Sequence, residues 1–144
     1  MLSAYPACFI KEESGYSVIF PDLNYLATSG ETIDEAFAMA VDCLAGYLFE
    51  SQKDGTEIPD ASQLKTISVS DIAKELELKD CDESFVNIVT VDVEEYAKSH
   101  FNKAVKKTLT IPEWLNNSAI EAKLNFSQVL QEALIQRLGN IKVK

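Results

Sequence analysis

The sequence predicts an α+β protein of two domains, and three observations lead to this prediction. Residues 5–10 and 16–20 suit two short strands joined by a turn that contains a glycine, and a long amphipathic helix follows them. The end of the chain instead suits one strand and two helices. The charge also reverses, because residues 1–95 hold 20 acidic and 5 basic side chains whereas residues 96–144 hold 3 and 8. This asymmetry predicts two partners of opposite charge.

A β-hairpin is predicted at the start of the chain. Residues 5–10 and 16–20 suit strands, and Gly15 in the turn between them permits a positive φ. Pro21 ends the second strand because proline has no backbone donor. A third short strand is predicted around residues 26–29.

A long helix is predicted after Gly30. Thr32 and Glu35 have the spacing of a capping box, in which each side chain bonds a backbone N–H at the helix start. Apolar residues then recur along one helical face: Ile33, Phe37, Ala40, Val41, Leu44 and Leu48. We expect this stripe to cover the sheet.

The rest of the N-terminal domain has less regular patterns. Residues 52–63 predict a polar surface loop, residues 64–69 suit a strand, and residues 71–78 suit a short helix. Residues 85–93 alternate Val and Ile with polar residues and predict a further strand. The result is an antiparallel sheet with a packed helix over residues 1–97.

A linker at residues 98–104 is predicted to lead to a second domain at residues 105–144. Side chains alternate along a strand, so Lys106, Thr108 and Thr110 share one side. The opposite side of that strand is apolar: Val105, Leu109 and Ile111.

Two helices complete the predicted second domain. Pro112 suits the first turn of the first helix, where its missing N–H costs no hydrogen bond. Ser127 is the predicted N-cap of the second helix, which is expected to end at Gly139.

A lone strand leaves its backbone groups unpaired, and so short a domain buries little apolar surface. Pairing with the same strand of a second copy solves both problems and forms a two-stranded ribbon that fits the major groove. We therefore expect a homodimer that binds operator DNA and leave open whether dimers pair into tetramers. The predicted DNA-binding residues are Lys106, Lys107, Thr108, Thr110, Asn125 and Ser127. The alternative is an edge strand of the first domain with solvated lysines.

Two motifs carry a family resemblance in this domain. They are Lys-x-Thr-x-Thr-Ile-Pro from Lys106 and Asn-Phe-Ser-Gln-Val-Leu-Gln-Glu-Ala-Leu from Asn125. With the first helix between them, residues 105–139 resemble the ribbon-helix-helix repressors of the Arc/MetJ type. The resemblance implies a ribbon-helix-helix DNA-binding domain.

Three motifs carry a second resemblance in the N-terminal half. They are Tyr-Pro-Ala from Tyr5, Gly-Tyr-Ser-Val-Ile-Phe-Pro-Asp-Leu from Gly15 and Thr-Ser-Gly-Glu-Thr-Ile-Asp-Glu-Ala from Thr28. This half is similar to the HicB antitoxin family, which often has Pro-Gly where this chain has Asn24 and Tyr25. The resemblance implies a partially degenerate ribonuclease-H-like fold, a HicA-type mRNA-cleaving toxin as partner, and repression of the operon that encodes both.

An RNA-cleaving toxin is expected to present a basic surface, which an acidic domain would cover in competition with RNA. The candidate toxin-binding residues lie in the matching motifs: Asp22, Glu31, Asp34 and Glu35. The alternative is that these carboxylates only keep the domain soluble. A stand-alone repressor, whose acidic domain binds a ligand or drives oligomerisation, is the second function left open.

The sequence does not predict an enzyme. Two-metal nuclease chemistry needs converging carboxylates, and Asp22, Asp42 and Asp92 show no pattern that brings them together. His100 lacks the nucleophile and the orienting group of a catalytic triad, and it is predicted as a linker residue, with a phosphate contact as the alternative. We predict neither a cofactor nor a metal site.

The cysteines and the hydropathy pattern are typical of a cytoplasmic protein without a membrane segment. Cys8, Cys43 and Cys81 lie far apart and are expected to stay reduced. Cys8 and Cys43 are predicted to be buried, and Cys81 is predicted to lie on the surface. The chain has neither a long apolar run nor a secretory signal.

Overall fold

A four-stranded antiparallel sheet in the order β3-β2-β1-β4 forms the centre of the N-terminal half. Its strands are β1 Leu2–Lys11, β2 Tyr16–Phe20, β3 Leu26–Gly30 and β4 Phe85–Asp92, which confirms the four strands predicted at these positions. Pro6 lies inside β1, but β2 pairs with β1 only as far as Cys8 opposite Ile19. The missing N–H of Pro6 therefore removes no bond from that ladder.

The computed structural model describes residues 1–79, 82–101 and 104–142. The chain divides into two units, residues 1–103 (unit 1) and 104–144 (unit 2), and each is described by itself. Cys81 lies outside the described residues. None of the described helices is both long and apolar enough to span a membrane.

Helix α1, Ile33–Asp54, packs on one face of the sheet. Thr32 Oγ1 accepts a hydrogen bond from Glu35 N–H at 3.1 Å, whereas the Glu35 carboxylate accepts one from Glu31 N–H at 2.8 Å, one residue before the cap. The predicted apolar stripe faces the sheet: Ala40, Leu44 and Leu48 are fully buried, and Ile33, Phe37 and Val41 are partly buried against the same core. Ala36 and Ala45, which the predicted stripe did not include, are buried as well. A Cβ at Gly30 would lie 2.4 Å from Ala36 N, so this close approach of β3 to α1 requires glycine.

A second helix, α2 Val69–Glu75, covers part of the opposite face, where Ala73 packs with Cys8, Ile10 and Ile19. The strand predicted at residues 64–69 is wrong, because Leu64–Thr66 forms a 3₁₀ turn. Ser68 Oγ accepts a hydrogen bond from Asp71 N–H at 3.3 Å. This cap starts the helix at Val69, before its predicted start, and takes the Val out of any strand.

The turn from β2 to β3 uses the left-handed region without glycine. After a 3₁₀ turn at Pro21–Leu23, Asn24 and Tyr25 have φ of 55° and 58°. A bulky residue is strained in this region. The Tyr25 hydroxyl donates a hydrogen bond to Glu75 Oε2 at 2.9 Å, which holds the turn against α2 and raises the pKa of Tyr25.

A third helix, α3 Val93–His100, was not predicted, and it occupies the start of the range expected to be a linker. Asp92 Oδ1 accepts a hydrogen bond from Glu95 N–H at 3.1 Å and caps it. The Tyr96 hydroxyl donates to Asp42 Oδ1 at 2.9 Å and ties α3 to α1. His100 is the last helical residue and stacks on the Tyr96 ring.

Unit 2 contains the two predicted helices, α4 Glu113–Glu121 and α5 Phe126–Lys142. Pro112 is the residue before α4, rather than its first helical residue. The predicted end of the second helix at Gly139 is wrong, since α5 continues past it; glycine permits a left-handed turn but does not impose one. Residues 104–112 are neither helix nor strand within the single chain.

Candidate functional sites

The segment before α4 carries four of the six residues predicted to bind DNA. Lys106, Lys107, Thr108 and Thr110 are all exposed, as are their apolar neighbours Leu109 and Ile111. The structure therefore leaves both the polar and the apolar side chains of this segment accessible in the single chain.

The other two predicted DNA-binding residues lie at the start of α5. Asn125 Oδ1 accepts a hydrogen bond from Gln128 N–H at 3.1 Å and is the helix cap, so the prediction of Ser127 as the N-cap is wrong. Ser127 lies in the first turn, where its hydroxyl accepts a bond from Gln131 Nε2 at 3.1 Å. The N–H groups of a first helical turn point out of the helix end, which is a geometry that holds a phosphate.

Unit 2 buries none of the side chains that the structure describes in it. Val105 is 77% exposed, Trp114 69% and Ile135 70%. Leu109, from the predicted apolar side of the strand, and Leu134 and Leu138 of α5 are also more than half exposed. Apolar surface exposed to water costs free energy, so a second surface that covered these side chains would stabilise unit 2.

Asp22, a predicted toxin-binding residue, holds a loop of unit 1 in place. Its carboxylate accepts hydrogen bonds from both Ser62 N–H and Ser62 Oγ, at 2.8 and 2.6 Å. The same loop is fixed again where the Tyr5 hydroxyl donates to the Pro59 carbonyl at 2.7 Å. Burial and the nearby Asp60 carboxylate raise the pKa of Tyr5.

The other predicted toxin-binding carboxylates lie together at the start of α1. Glu31, Asp34 and Glu35 are exposed there, although Glu35 is also part of the helix cap. They lie just beyond Gly30, the last residue of β3, which pairs with Tyr16 of β2. Asp22 lies instead just beyond Phe20, the last residue of β2, which pairs with Leu26 of β3. The four residues thus belong to two places at opposite ends of the β2–β3 pair.

The remaining acidic candidates from the sequence are also used by the fold. Asp42 accepts a bond from Tyr96, and Asp92 caps α3, whose Glu95 N–H lowers the pKa of Asp92. No group of three metal-ligating side chains occurs within the described part of the chain. Cys8 is buried, which raises its pKa to about 11, whereas Cys43 is only partly buried, contrary to the prediction.

The outer edge of β4 is a further exposed surface of unit 1, and none of the predicted site residues lies on it. Within the described residues no strand pairs with this edge, since β4 ends the strand order. Asn87 Oδ1 accepts a hydrogen bond from Ile88 N–H at 2.9 Å. A signal for this surface is present in the sequence, because residues 85–91 contain no charge and no Pro.

Comparison with known proteins identifies the family. Residues 5–137 match the family of HicB-like antitoxins of bacterial toxin-antitoxin systems. The chain belongs to this HicB-like antitoxin family. The resemblance to HicB antitoxins drawn from the N-terminal motifs is therefore confirmed.

Known relatives of this HicB-like chain include a named antitoxin and an uncharacterized phage protein. It is 41% identical to Antitoxin HicB 2 of Photorhabdus laumondii over 58 residues, which are 40% of this chain and only 42% of that protein. It is 29% identical over 112 residues to an uncharacterized 14.9 kDa protein of Haemophilus phage HP1, with 77% and 74% of the two chains covered.

A solved structure resembles the HicB-like chain over nearly its whole length. A chain of the toxin-antitoxin complex from Streptococcus pneumoniae is 37% identical, with a TM-score of 0.63. The similarity covers 95% of this chain and 99% of that chain. The α+β fold with an antiparallel sheet is therefore shared with a protein of a toxin-antitoxin complex.

The role of Asp22 in this HicB-like chain can be tested in its loop. Asp22→Asn leaves one acceptor oxygen for two donors, which we expect to cost about 1–2 kcal/mol and to open residues 56–63 roughly tenfold more often. Cleavage after Glu57 by a glutamate-specific protease measures this opening. Asp60→Asn removes the same charge from the loop itself and is the control; equal cleavage of both variants and the wild type would contradict the proposed role.

Proposed function

We propose that this chain is an antitoxin of two functions. Unit 1 binds and neutralises a HicA-type mRNA-cleaving toxin, and unit 2 represses the toxin-antitoxin operon as a DNA-bound dimer. The observation that carries the proposal is the contrast between the units. Unit 1 is acidic and has its own core, whereas unit 2 is basic and buries no described side chain alone.

Charge supports the role of unit 1. The surplus of 15 negative charges over residues 1–95 attracts a basic, RNA-gripping protein and increases the rate of their encounter. The Asp22 carboxylate holds a loop through Ser62, whereas Glu31 and Asp34 expose their carboxylates at the surface. Glu31 and Asp34 are therefore better candidates for toxin contact. The sheet with α1 across one face is consistent with a partially degenerate ribonuclease-H-like fold.

Catalysis by unit 1 is not part of the proposal. Asp22, Asp42 and Asp92 each accept a hydrogen bond that fixes a loop or a helix. Two-metal chemistry requires carboxylates that converge on ions about 4 Å apart. We infer a binding protein that needs no cofactor.

Exposed apolar side chains support the dimer. In a ribbon-helix-helix domain the segments 105–111 of two copies pair as antiparallel strands. This pairing satisfies their backbone groups, and it turns Leu109 and Ile111 toward a shared core with α4 and α5. Lys106, Thr108 and Thr110 then face outward from both strands at a width that fits the major groove. The first turn of α5, at Asn125 and Ser127, is the proposed phosphate contact.

Toxin neutralisation is tested by co-expression. The full chain, and the chain with residues 104–144 deleted, should each relieve growth arrest by the small basic protein encoded in the neighbouring reading frame, because unit 1 has its own core. Lys107→Ala in the full chain is a control that leaves unit 1 unchanged. If the full chain neither binds that protein nor relieves the arrest, the antitoxin proposal is wrong, and a stand-alone repressor becomes the better description.

Dimer formation is tested by Leu109→Asp, which places a carboxylate in the proposed shared core. We expect the dimer dissociation constant to rise by about 100-fold or more, since burying an unpaired charge is costly. Sedimentation and the fluorescence of Trp114, the only tryptophan, follow dissociation upon dilution. Lys107→Ala should remain dimeric. A wild-type chain that sediments as a monomer at micromolar concentration would contradict the proposal.

Base reading is tested on DNA from the chain's own promoter and on random DNA. Thr108→Ala or Thr110→Ala should cost about 1–3 kcal/mol on the operator and much less on random DNA, because bases differ between the two. Lys107→Ala should weaken binding to both alike through the loss of a phosphate contact. Gel shifts at two salt concentrations measure these effects, and an equal loss on both DNAs for every variant would exclude base reading.

A further inference from the structure

The outer edge of β4 has few of the protections that exposed strand edges normally carry. Lysines, prolines and bulges usually keep such edges from pairing with other chains. The eight-residue strand Phe85–Asp92 has no Lys and no Pro, and its residues 85–91 are rich in Val, Ile and other residues that suit strands. The structure shows one protection of this edge: Asn87 Oδ1 accepts a hydrogen bond from Ile88 N–H, so that this donor is not available to another chain.

That hydrogen bond also shows which backbone groups face outward. Ile88 lies opposite Pro6 of β1, yet its N–H is bonded to a side chain of its own strand. In an antiparallel pair the N–H groups of alternate residues point to opposite sides. The N–H groups of Val86 and Thr90 therefore point outward together with that of Ile88, and they form the donor row that an added strand would use.

The charges at the two ends of β4 select the kind of partner. Asp82 and Glu83 precede the strand, Glu94 and Glu95 follow it, and all four are exposed. Glu95 also contacts Lys98 at 3.7 Å. If β4 paired with β4 of a second copy, acidic residues would face acidic residues at both ends, whichever direction the strands ran. A strand with basic residues at both ends would instead be attracted.

Beside this edge, on the sheet face that α2 covers only in part, a strip of apolar side chains is exposed. Leu2 is 68% exposed and Ile88 38% exposed, and Ala4 between them is exposed as well. Alternate side chains of an added strand would extend this strip, so strand addition would bury apolar surface as well as satisfy backbone groups.

We propose that the outer edge of β4 is a docking site for a β-strand of a basic partner protein, which adds to the sheet after displacing the Asn87 carboxamide from Ile88 N–H. The site rests on the proposed antitoxin function, since the partner it fits is a toxin with a basic surface. Backbone hydrogen bonds supply the contact, and Asp82, Glu83, Glu94 and Glu95 set its preference for Lys and Arg.

A peptide tests the site with the full chain. The probe is Lys-Lys-Thr-Val-Thr-Val-Thr-Lys-Lys, measured by titration calorimetry, beside two versions that are N-methylated at one or the other set of alternate residues. We expect the plain peptide to bind with a dissociation constant below about 1 mM. One N-methylated version should lose at least tenfold in affinity and the other should not, because only one row of peptide N–H groups faces β4.

Variants of the chain separate the backbone contribution from charge. Thr90→Pro removes an outward donor and should weaken the peptide at least tenfold, whereas Thr90→Val keeps the donor and should bind as the wild type does. Asn87→Ala exposes the Ile88 N–H and should tighten binding by about fivefold. Absence of binding, equal affinity of both N-methylated peptides, or pairing of β4 with a second copy in place of the peptide would each overturn the inference.

Growth rescue distinguishes this inference from the function on which it rests. Rescue that persists in Thr90→Pro would place the toxin elsewhere on unit 1 and overturn the docking site, while the antitoxin proposal stands. A lack of rescue by the wild-type chain would remove the antitoxin proposal, and the peptide measurements would still decide whether the β4 edge takes up a basic strand. Rescue lost in Thr90→Pro and kept in Thr90→Val supports both.

Discussion

Burial of apolar surface is the constraint on which the rest of this structure depends. Unit 1 buries its apolar side chains within the single chain, whereas unit 2 leaves its described ones exposed or partly exposed. Unit 1 covers one face of its sheet with α1 and part of the other with α2, so Phe9, Phe20 and Leu44 are fully buried. Unit 2 has comparable apolar residues but exposes them in the single chain. Because such exposure costs free energy, an assembly that covers these side chains would stabilise unit 2.

Features fixed by local chemistry could be predicted from the sequence. The Thr32–Glu35 cap, the helical stripe ending at Leu48 and the strand at residues 16–20 each follow from residues close together in the chain. Lys106, Thr108 and Thr110 are exposed, but Leu109 and Ile111 are exposed as well, so exposure in the single chain does not distinguish the two predicted sides of this segment. Strand pairing with a second copy and contact with bases stay predictions, because the structure of a single chain does not display either.

Competition between neighbouring signals explains most of the errors. Ile67 and Val69 favour a strand, but the Ser68 side chain captures a backbone N–H and starts α2. Asn125 and Ser127 are both good caps, and the one that reaches Gln128 N–H decides where α5 begins. The role of Asp22 was beyond sequence reasoning for another reason, since its partner Ser62 lies 40 residues away along the chain.

The structure also divides the acidic residues of unit 1 into two classes, and this division changes how their surface should be interpreted. Asp22, Glu35, Asp42 and Asp92 hold loops and helices through hydrogen bonds, so substituting them changes the fold and any partner contact together. The exposed residues Glu31, Asp34, Glu83 and Glu94 contribute charge to the surface instead. Substitutions at these positions report partner binding with less effect on folding, because an exposed charge contributes little to stability.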